Sequence, residues 1–161
     1  MQLLRKWSVT HSRSLEFLYL LFEPVLIKLH KLWNIIGYER LEKPVRVIEK
    51  TIKGLMFDCQ MCGQCALSSS GMSCSMNCPK SIRNGPCGGV RMDGKCEVKP
   101  EMPCVWVEAW RGAQQMSQCE KIKNVQQPVN FSFKGSSSWL RVVQDDVKHN
   151  LEIPADVRIK R

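Results

Sequence analysis

The sequence lacks a hydrophobic run long enough to cross a membrane. Its most apolar stretch, Leu15–Gly37, is interrupted by charged residues and by Pro24, whereas a spanning helix needs about 20 predominantly apolar residues. The first residues contain neither a long apolar segment nor a small-residue cleavage site after one. We therefore predict no secretory signal peptide. We therefore expect a cytoplasmic protein. In such reducing surroundings, clustered cysteines bind metals more often than they form disulfides.

The sequence is also poor in the groups from which active sites are usually built. Only three histidines occur, and none lies between residues 31 and 148, so nearby sequence offers no mixed cysteine and histidine ligation. We find no glycine-rich phosphate loop and no recognisable pair of catalytic carboxylates. The chain is therefore expected to have no self-sufficient active site.

Positive charge is in excess but is not concentrated in any one segment. The net charge is +9, and each third of the chain carries more basic than acidic residues. This even spread argues against a dedicated nucleic-acid binder, which usually gathers its charge on one face or tail. A diffuse positive field favours encounter with an acidic protein partner, and it serves solubility equally well.

Residues 1–57 are predicted to form an N-terminal helical arm. Pro24 is expected to kink or split its long helix, and Gly37 to end it. A second helix is expected from about Lys43 to Phe57, with Pro44 in its first turn. Apolar residues recur at steps of three and four, the period of one helix face: Leu15, Leu18, Phe22, Val25, Leu29, Leu32 and Ile36, and then Val45, Ile48, Ile52 and Leu55.

Residues 58–104 and 105–161 differ from this arm and from each other. The first of these zones is rich in cysteine, glycine and proline and poor in apolar residues, as a metal-nucleated coil requires. The second predicts a helix over Val105–Ser117, an extended strip over Asn124–Lys134 and a serine-capped helix over Trp139–His149. An extended tail, Leu151–Arg161, follows. The predicted fold is a small, α-rich, irregular metal-nucleated module whose cysteine-rich loops are flanked by helices.

Eight of the nine cysteines lie in the middle zone and supply two complete sets of four thiolates. Cys119 stands apart and is expected to be a free buried thiol. The ligands that we predict for metal are Cys59, Cys62, Cys65, Cys74, Cys78, Cys87, Cys96 and Cys104.

The spacing of the first three cysteines is the most specific signal in the chain. Cys59, Cys62 and Cys65 follow one another at steps of three, so one tight loop could contact three irons of a cubane, as in bacterial ferredoxins. A zinc site usually pairs two separated knuckles, and a third cysteine three residues on is surplus to it. We predict a [4Fe–4S] cluster on these three and one later cysteine, with zinc as the alternative.

The remaining cysteines are less specific about their metal. Glycines beside Cys87 allow close backbone approach, which suits a second cluster and a zinc knuckle about equally. Spacing does not tell which four cysteines share a site. One or two [4Fe–4S] clusters are therefore predicted, with zinc open at the second site.

These residues with their neighbours resemble the methylenetetrahydrofolate reductase C-terminal domain family, the family of MetV-type iron–sulfur or zinc subunits. The resemblance covers roughly Lys53–Arg141. Its motifs are Cys59-x2-Cys62-Gly63-x-Cys65-x-Leu67, Cys74-x3-Cys78-Pro79-Lys80, Asn84-Gly85-Pro86-Cys87-Gly88-Gly89, Gly94-x-Cys96-Glu97-Val98-x-Pro100, Cys104-x-Trp106 and the SSSWL string Ser136–Leu140.

The resemblance implies an electron-transfer subunit of one-carbon metabolism. Such a subunit works in a complex with a flavin-containing methylenetetrahydrofolate reductase, and the family's metal-binding cysteines correspond to all eight predicted ligands. The (β/α)8 reductase barrel needs about 250 residues, so catalysis would belong to a separate polypeptide. Two alternatives remain: a structural zinc module that serves assembly or interaction, and a free ferredoxin-like carrier.

Two surfaces are candidates for binding partners. Phe17, Leu21 and Trp33 lie off the main apolar stripe of the first helix and would expose hydrophobic area, so we expect this helix to bind the reductase. Lys80 and Arg83 are expected to be solvated or, alternatively, to bind an acidic ferredoxin. Trp106 and Trp110, four residues apart, are expected to pack over the metal zone as core.

Overall fold

The N-terminal zone is helical, as its periodicity predicts. In the computed structural model, which describes residues 2–85 and 87–152, helices α1 to α4 occupy this zone almost without interruption. Two more α-helices follow, and no strand occurs among the described residues, so the small α-rich fold is confirmed. The helices are α1 Gln2–Thr10, α2 Ser12–Lys28, α3 His30–Ile36, α4 Tyr38–Phe57, α5 Val105–Ala113 and α6 Ser138–Glu152, and short 3-10 turns lie at Ser75–Asn77, Cys119–Lys123 and Phe131–Phe133.

Neither Pro24 nor Pro44 marks a helix boundary where the sequence predicts one. Helix α2 continues through Pro24 and ends at Lys28, and α4 already begins at Tyr38, so Pro44 lies in its second turn. A proline removes one hydrogen bond of the helix, and the flanking turns here retain the helical path. Gly37 ends α3 as predicted, with a φ of 93° that favours glycine.

The C-terminal elements are also shifted from the predicted ones. Helix α5 ends at Ala113, and the expected extended strip contains the 3-10 turn Phe131–Phe133. Ser137 caps α6, since its hydroxyl accepts a hydrogen bond from the Leu140 amide at 3.3 Å. Helix α6 extends to Glu152, so the predicted extended tail begins as helix, and its residues 153–161 lie outside the described part.

The core does not follow the predicted stripe of α2 and α3, although Leu15 and Phe22 of that stripe pack against buried clusters. Leu26 and Trp33 are buried against Leu140 and Val143 of α6. Of the predicted stripe, Leu18, Val25, Leu29, Leu32 and Ile36 are exposed. The expectation that Trp33 exposes apolar area is wrong, whereas Phe17 and Leu21 are exposed as predicted. Apolar residues surround most of α2, so periodicity alone does not identify its buried side.

Helix α4 buries a polar pair where the sequence predicts an apolar face. Glu49, 1% exposed, binds the Lys53 ammonium at 2.7 Å, and its carboxylate accepts hydrogen bonds from Ser137 Oγ at 2.6 Å and Ser138 Oγ at 2.5 Å. The predicted residues Ile48, Ile52 and Leu55 are exposed instead. A negative side chain at the N-terminus of α6 is favoured by the helix dipole, so this polar contact joins α4 to α6.

Helix α5 packs directly on the backbone of the cysteine-rich zone. Gly71 has a φ of 58° and lies against the backbone of Gly112 in α5, and a Cβ on either glycine would overlap the other segment. The Ser12 hydroxyl donates to the Gly112 carbonyl at 2.8 Å from the other side. Gly112 thereby joins α5 both to the cysteine-rich chain at Gly71 and to Ser12 of α2.

We expect Gly112→Ala to destabilise the protein, although alanine is normally the better helix residue by roughly 0.5–1 kcal/mol. The new Cβ would overlap backbone at Gly71, and overpacking of this kind costs typically about 1–3 kcal/mol. Chemical denaturation measures the change. Gly54→Ala in α4 is the matched control, since no atom lies within 4 Å of its Cβ. It should gain stability, and equal effects of the two substitutions would refute the close contact.

Candidate metal centre

The loop that follows α4 brings three cysteines to the lining of one cavity. Asp58 ends the helix with a φ of 54°, and Met61 and Gly63 also have positive φ values, 48° and 73°. Such left-handed residues let the chain reverse direction within few residues. Cys59, Cys62 and Cys65 consequently line a single cavity.

Cys74 is the fourth cysteine of this cavity. Its side chain and that of Cys59 share a hydrogen bond, which lowers the pKa of Cys59 to about 7 and, together with burial, raises the pKa of Cys74 well above that of an ordinary thiol. Thiolate is the form of cysteine that binds metals. Cys74 therefore lies with the first three cysteines, whereas Cys78, five residues before Arg83, packs against Cys96, Met102 and Val105.

Backbone amides point at the sulfurs of three predicted ligands. The Met61 amide donates to Cys59 Sγ and the Gly89 amide to Cys87 Sγ, each at 3.4 Å, and the Met76 amide donates to Cys74. In each case the donor lies two residues after the cysteine. Hydrogen bonds of this kind stabilise thiolate and tune a bound iron–sulfur centre.

A distant part of the chain holds the outer side of the loop. The Gly135 amide donates to the Met61 carbonyl at 2.7 Å, and the Arg141 guanidinium donates to the Gly63 carbonyl at 3.1 Å while its carbon stacks 3.5 Å over the Phe133 ring. A Cβ on Gly63 would lie 2.5 Å from the Phe133 carbonyl oxygen. The sequence gives no sign of these contacts beyond the SSSWL string that precedes Arg141.

Two buried cations adjoin the four cysteines. Burial alone would lower the pKa of Lys53, but Cys65 and Glu49 outweigh it and raise that pKa above its usual value. The same ion pair outweighs burial at Glu49 and lowers its pKa. Arg83, 9% exposed, lines the cavity and donates to the Gln64 carbonyl at 2.6 Å, so the expectation that Arg83 is solvated is wrong.

The other four predicted ligands lie in or beside a second loop, but their side chains do not share one cluster, since Cys104 packs against Trp106 and Ala109. Cys96 and Cys104 are buried, and Cys78 packs against the cluster of Cys96, Met102 and Val105. Isolated antiparallel bridges, Val90 with Cys96 and Lys95 with Pro103, close this loop. The Lys80 ammonium, which pairs with Glu97, lies beside Cys87.

Among the described residues, no group of three or more cysteine, histidine, aspartate or glutamate side chains is placed to hold a metal ion. All nine cysteines are free thiols. Cys119 is exposed, not buried as predicted. The cavity at the first loop is small, about 20 Å³.

The chemistry of the first cavity nevertheless fits an anionic metal centre. Four thiolates around a Zn²⁺ ion or a doubly charged [4Fe–4S] core leave a net charge of −2, since −4 and +2 are added. A guanidinium is a cation with five N–H donors and no acceptor, and the buried Nε of Arg83 has no hydrogen-bond partner in the described structure. A buried cation with an unused donor is costly unless an anion faces it.

Comparison with known proteins identifies the family. The family model described as methylene-tetrahydrofolate reductase C terminal matches residues 38–132, more than half of the chain. The chain belongs to this family. No curated protein and no solved structure matches the chain.

The matched region begins at α4 and contains all eight cysteines that we predict as metal ligands. Helices α1 to α3 and the SSSWL string lie outside the match, although the sequence resemblance extends to Arg141. The family name points to association with methylenetetrahydrofolate reductase. No helix in the described part of this family member is long and apolar enough to cross a membrane.

An apolar groove of about 360 Å³ lies between α2 and α4 of this family member. Leu18 and Phe22 form one wall and Ile48 and Ile52 the other, and Leu67 and Met72 lie deeper. Cys65, the exposed member of the four-cysteine group, also lines the groove. The groove therefore leads from the protein surface to a predicted metal ligand.

The two tryptophans after the last predicted ligand have different surroundings. Trp106 is buried, and its indole N–H donates to the Ile82 carbonyl at 3.3 Å, as expected of a core residue. Trp110 is 50% exposed, so the expectation that it packs as core is wrong. Helix α5 is short and turns only one side to the metal zone, with Ala109 and Gly112 on the buried side.

Proposed function

We propose that this chain is the iron–sulfur electron-transfer subunit of a flavin-dependent methylenetetrahydrofolate reductase. The observation that carries the proposal is the convergence of Cys59, Cys62, Cys65 and Cys74 on one cavity beside a buried arginine, in a member of a methylene-tetrahydrofolate reductase family. These four cysteines would hold a [4Fe–4S] cluster. Such a cluster, when bound, takes up and gives away one electron at a time.

The residues around this centre supply hydrogen bonds to the sulfurs and a buried positive charge. The amides of Met61 and Met76 donate to the sulfurs of Cys59 and Cys74 and favour their thiolate forms. Lys53 places a buried positive charge beside Cys59 and Cys65. Since added negative charge is stabilised by nearby cations, these groups favour acceptance of an electron at this position.

The apolar groove between α2 and α4 is the proposed contact with the reductase. Leu18 is 59% and Ile48 55% exposed, and large apolar areas on a protein surface mark interaction sites. Cys65 reaches the same groove, so a flavoprotein seated there would lie next to a cluster ligand. This proximity and the family name are the grounds for choosing the reductase as the occupant.

The second set, Cys78, Cys87, Cys96 and Cys104, is proposed as a further metal site. Two of its cysteines are buried and the Gly89 amide donates to the Cys87 sulfur, an environment that suits a second cluster or a structural zinc ion. The Lys80 side chain beside it is half-exposed. The excess of basic residues over the whole chain supports an acidic ferredoxin as the electron donor.

Anaerobic mixing tests the proposed function. Chain that has been reduced chemically, freed of reductant and added so as to supply two electrons per flavin should bleach the flavin absorbance of oxidised methylenetetrahydrofolate reductase and recover its own oxidised spectrum. A zinc-only structural module would leave the flavin oxidised. A free ferredoxin-like carrier would reduce the flavin but would not co-purify with the reductase.

A further inference from the structure

The side chain of Arg83 is held beside the four-cysteine cavity with one donor unused. One terminal nitrogen donates to the Gln64 carbonyl at 2.6 Å, in the stretch between Cys62 and Cys65. The Nε–H has no partner and is inaccessible to water. Arg83 lies only five residues after Cys78, yet it lines the cavity of the other four cysteines.

No other group in the described structure accounts for the buried charge of Arg83. None of the ion pairs found among the described residues includes it. Glu49, the carboxylate that lines the same cavity, is already bound by Lys53, Ser137 and Ser138. A guanidinium cannot be neutralised by losing its proton. The other groups at the cavity that can supply negative charge are the four cysteines, which bind metals as thiolates.

We propose that Arg83 is a positioning residue for the metal centre of Cys59, Cys62, Cys65 and Cys74: it supports the loop through Gln64 and offers its charge and its Nε–H to the sulfurs. This inference rests on the proposed function, because it requires a metal–thiolate centre in that cavity. A fixed positive charge stabilises the reduced, more negative state of such a centre more than the oxidised state. Arg83 therefore raises the reduction potential.

Arg141 provides a matched control within the same loop. Its guanidinium also donates to a loop carbonyl, that of Gly63, at 3.1 Å, and to Ser136 Oγ at 3.0 Å. It is half-buried and stacks on the outer Phe133 ring, and it does not belong to the lining of the cavity. The two arginines thus share loop support and differ in access to the sulfurs.

The test is the midpoint potential of the cluster in the wild type, Arg83→Gln, Arg83→Lys and Arg141→Gln, with iron content measured alongside. Arg83→Gln should lower the potential by about 59 mV or more, a tenfold change in a one-electron equilibrium. Arg83→Lys, which keeps the charge, should recover most of this shift, and Arg141→Gln should leave the potential unchanged. An unaltered potential in Arg83→Gln, or the same fall in Arg141→Gln, would overturn the proposed role of Arg83 but would leave the proposed function of the protein standing. Wild-type protein without a cluster would overturn the proposed function and this inference together.

Discussion

Replacing Cys74 by serine is expected to abolish cluster binding at the first loop. Serine keeps the size of the side chain but offers no thiolate at neutral pH, and three cysteines remain where an all-cysteine cluster needs four. Protein purified without oxygen should lose the iron and sulfide of one cluster, with the matching loss of visible absorbance. The chain entropy of ordering the loop, about 1–2 kcal/mol per residue, would then be offset less well, so proteolysis should begin near residues 58–74.

Cys119→Ser is the control for this experiment, because Cys119 is exposed in a 3-10 turn away from the four-cysteine cavity. Its iron and sulfide should equal those of the wild type. Full cluster content in Cys74→Ser would show that another cysteine completes the first set. Cys78, which packs against Cys96, would then be the first residue to examine.

Introducing charge into the groove between α2 and α4 is expected to abolish binding of the reductase while iron content stays intact. The double substitution Leu18→Glu and Ile48→Glu would place two carboxylates on an apolar face from which water must be excluded when the partner binds. Burying each original side chain contributes about 1.5–3 kcal/mol, and each 1.4 kcal/mol is a tenfold change in affinity. Affinity should therefore fall roughly a hundredfold or more, measured by co-purification and by titration of the flavoprotein.

Leu3→Glu is the control substitution, since Leu3 is equally apolar and more exposed but lies on α1, outside the lining of the groove. It should leave reductase binding unchanged. Undiminished binding by the Leu18 and Ile48 double variant would exclude the groove as the contact. Loss of iron in that variant would instead show that the groove supports the metal zone itself.

Deleting residues 1–37 would remove the helix that the sequence predicts to bind the reductase, but the same deletion would also remove part of the core. Leu26 and Trp33 form one core cluster with Leu140 and Val143 of α6, and the Ser8 hydroxyl donates to the Met56 carbonyl at 2.8 Å. The truncated chain would expose the inner face of α6 and release α4. Surface substitutions separate binding from folding, whereas the deletion affects both.

Local features of the chain were predictable because local chemistry determines them. Gly37 ends a helix because it adopts a positive φ, and Ser137 begins one because its hydroxyl accepts a hydrogen bond from the Leu140 amide. The tight loop over Cys59–Cys65 follows from the close spacing of the cysteines. Periodicity likewise predicted helices over the N-terminal zone, although not where α4 begins.

Features that depend on distant residues were not predictable. Helix α2 has apolar residues on most sides, so only its packing against α6 decides that Leu26 is buried while Leu18 is exposed. The burial of Glu49 and Lys53 depends on Ser138, far along the chain. Tertiary contacts bring Arg83 and Cys74 to the first loop, and the spacing of residues in the sequence does not predict such contacts. The candidate site was therefore recognisable from its cysteines, but only the fold shows that Cys74 is the fourth cysteine of the cavity and that Lys53 and Arg83 lie beside it.

Iron and acid-labile sulfide in the full chain, expressed with ample iron and purified without oxygen, test the central proposal most directly. We expect a brown protein with iron and sulfide in nearly equal amounts, sufficient for at least one [4Fe–4S] cluster per chain. Colourless protein with stoichiometric zinc and no sulfide would contradict the proposed electron-transfer function.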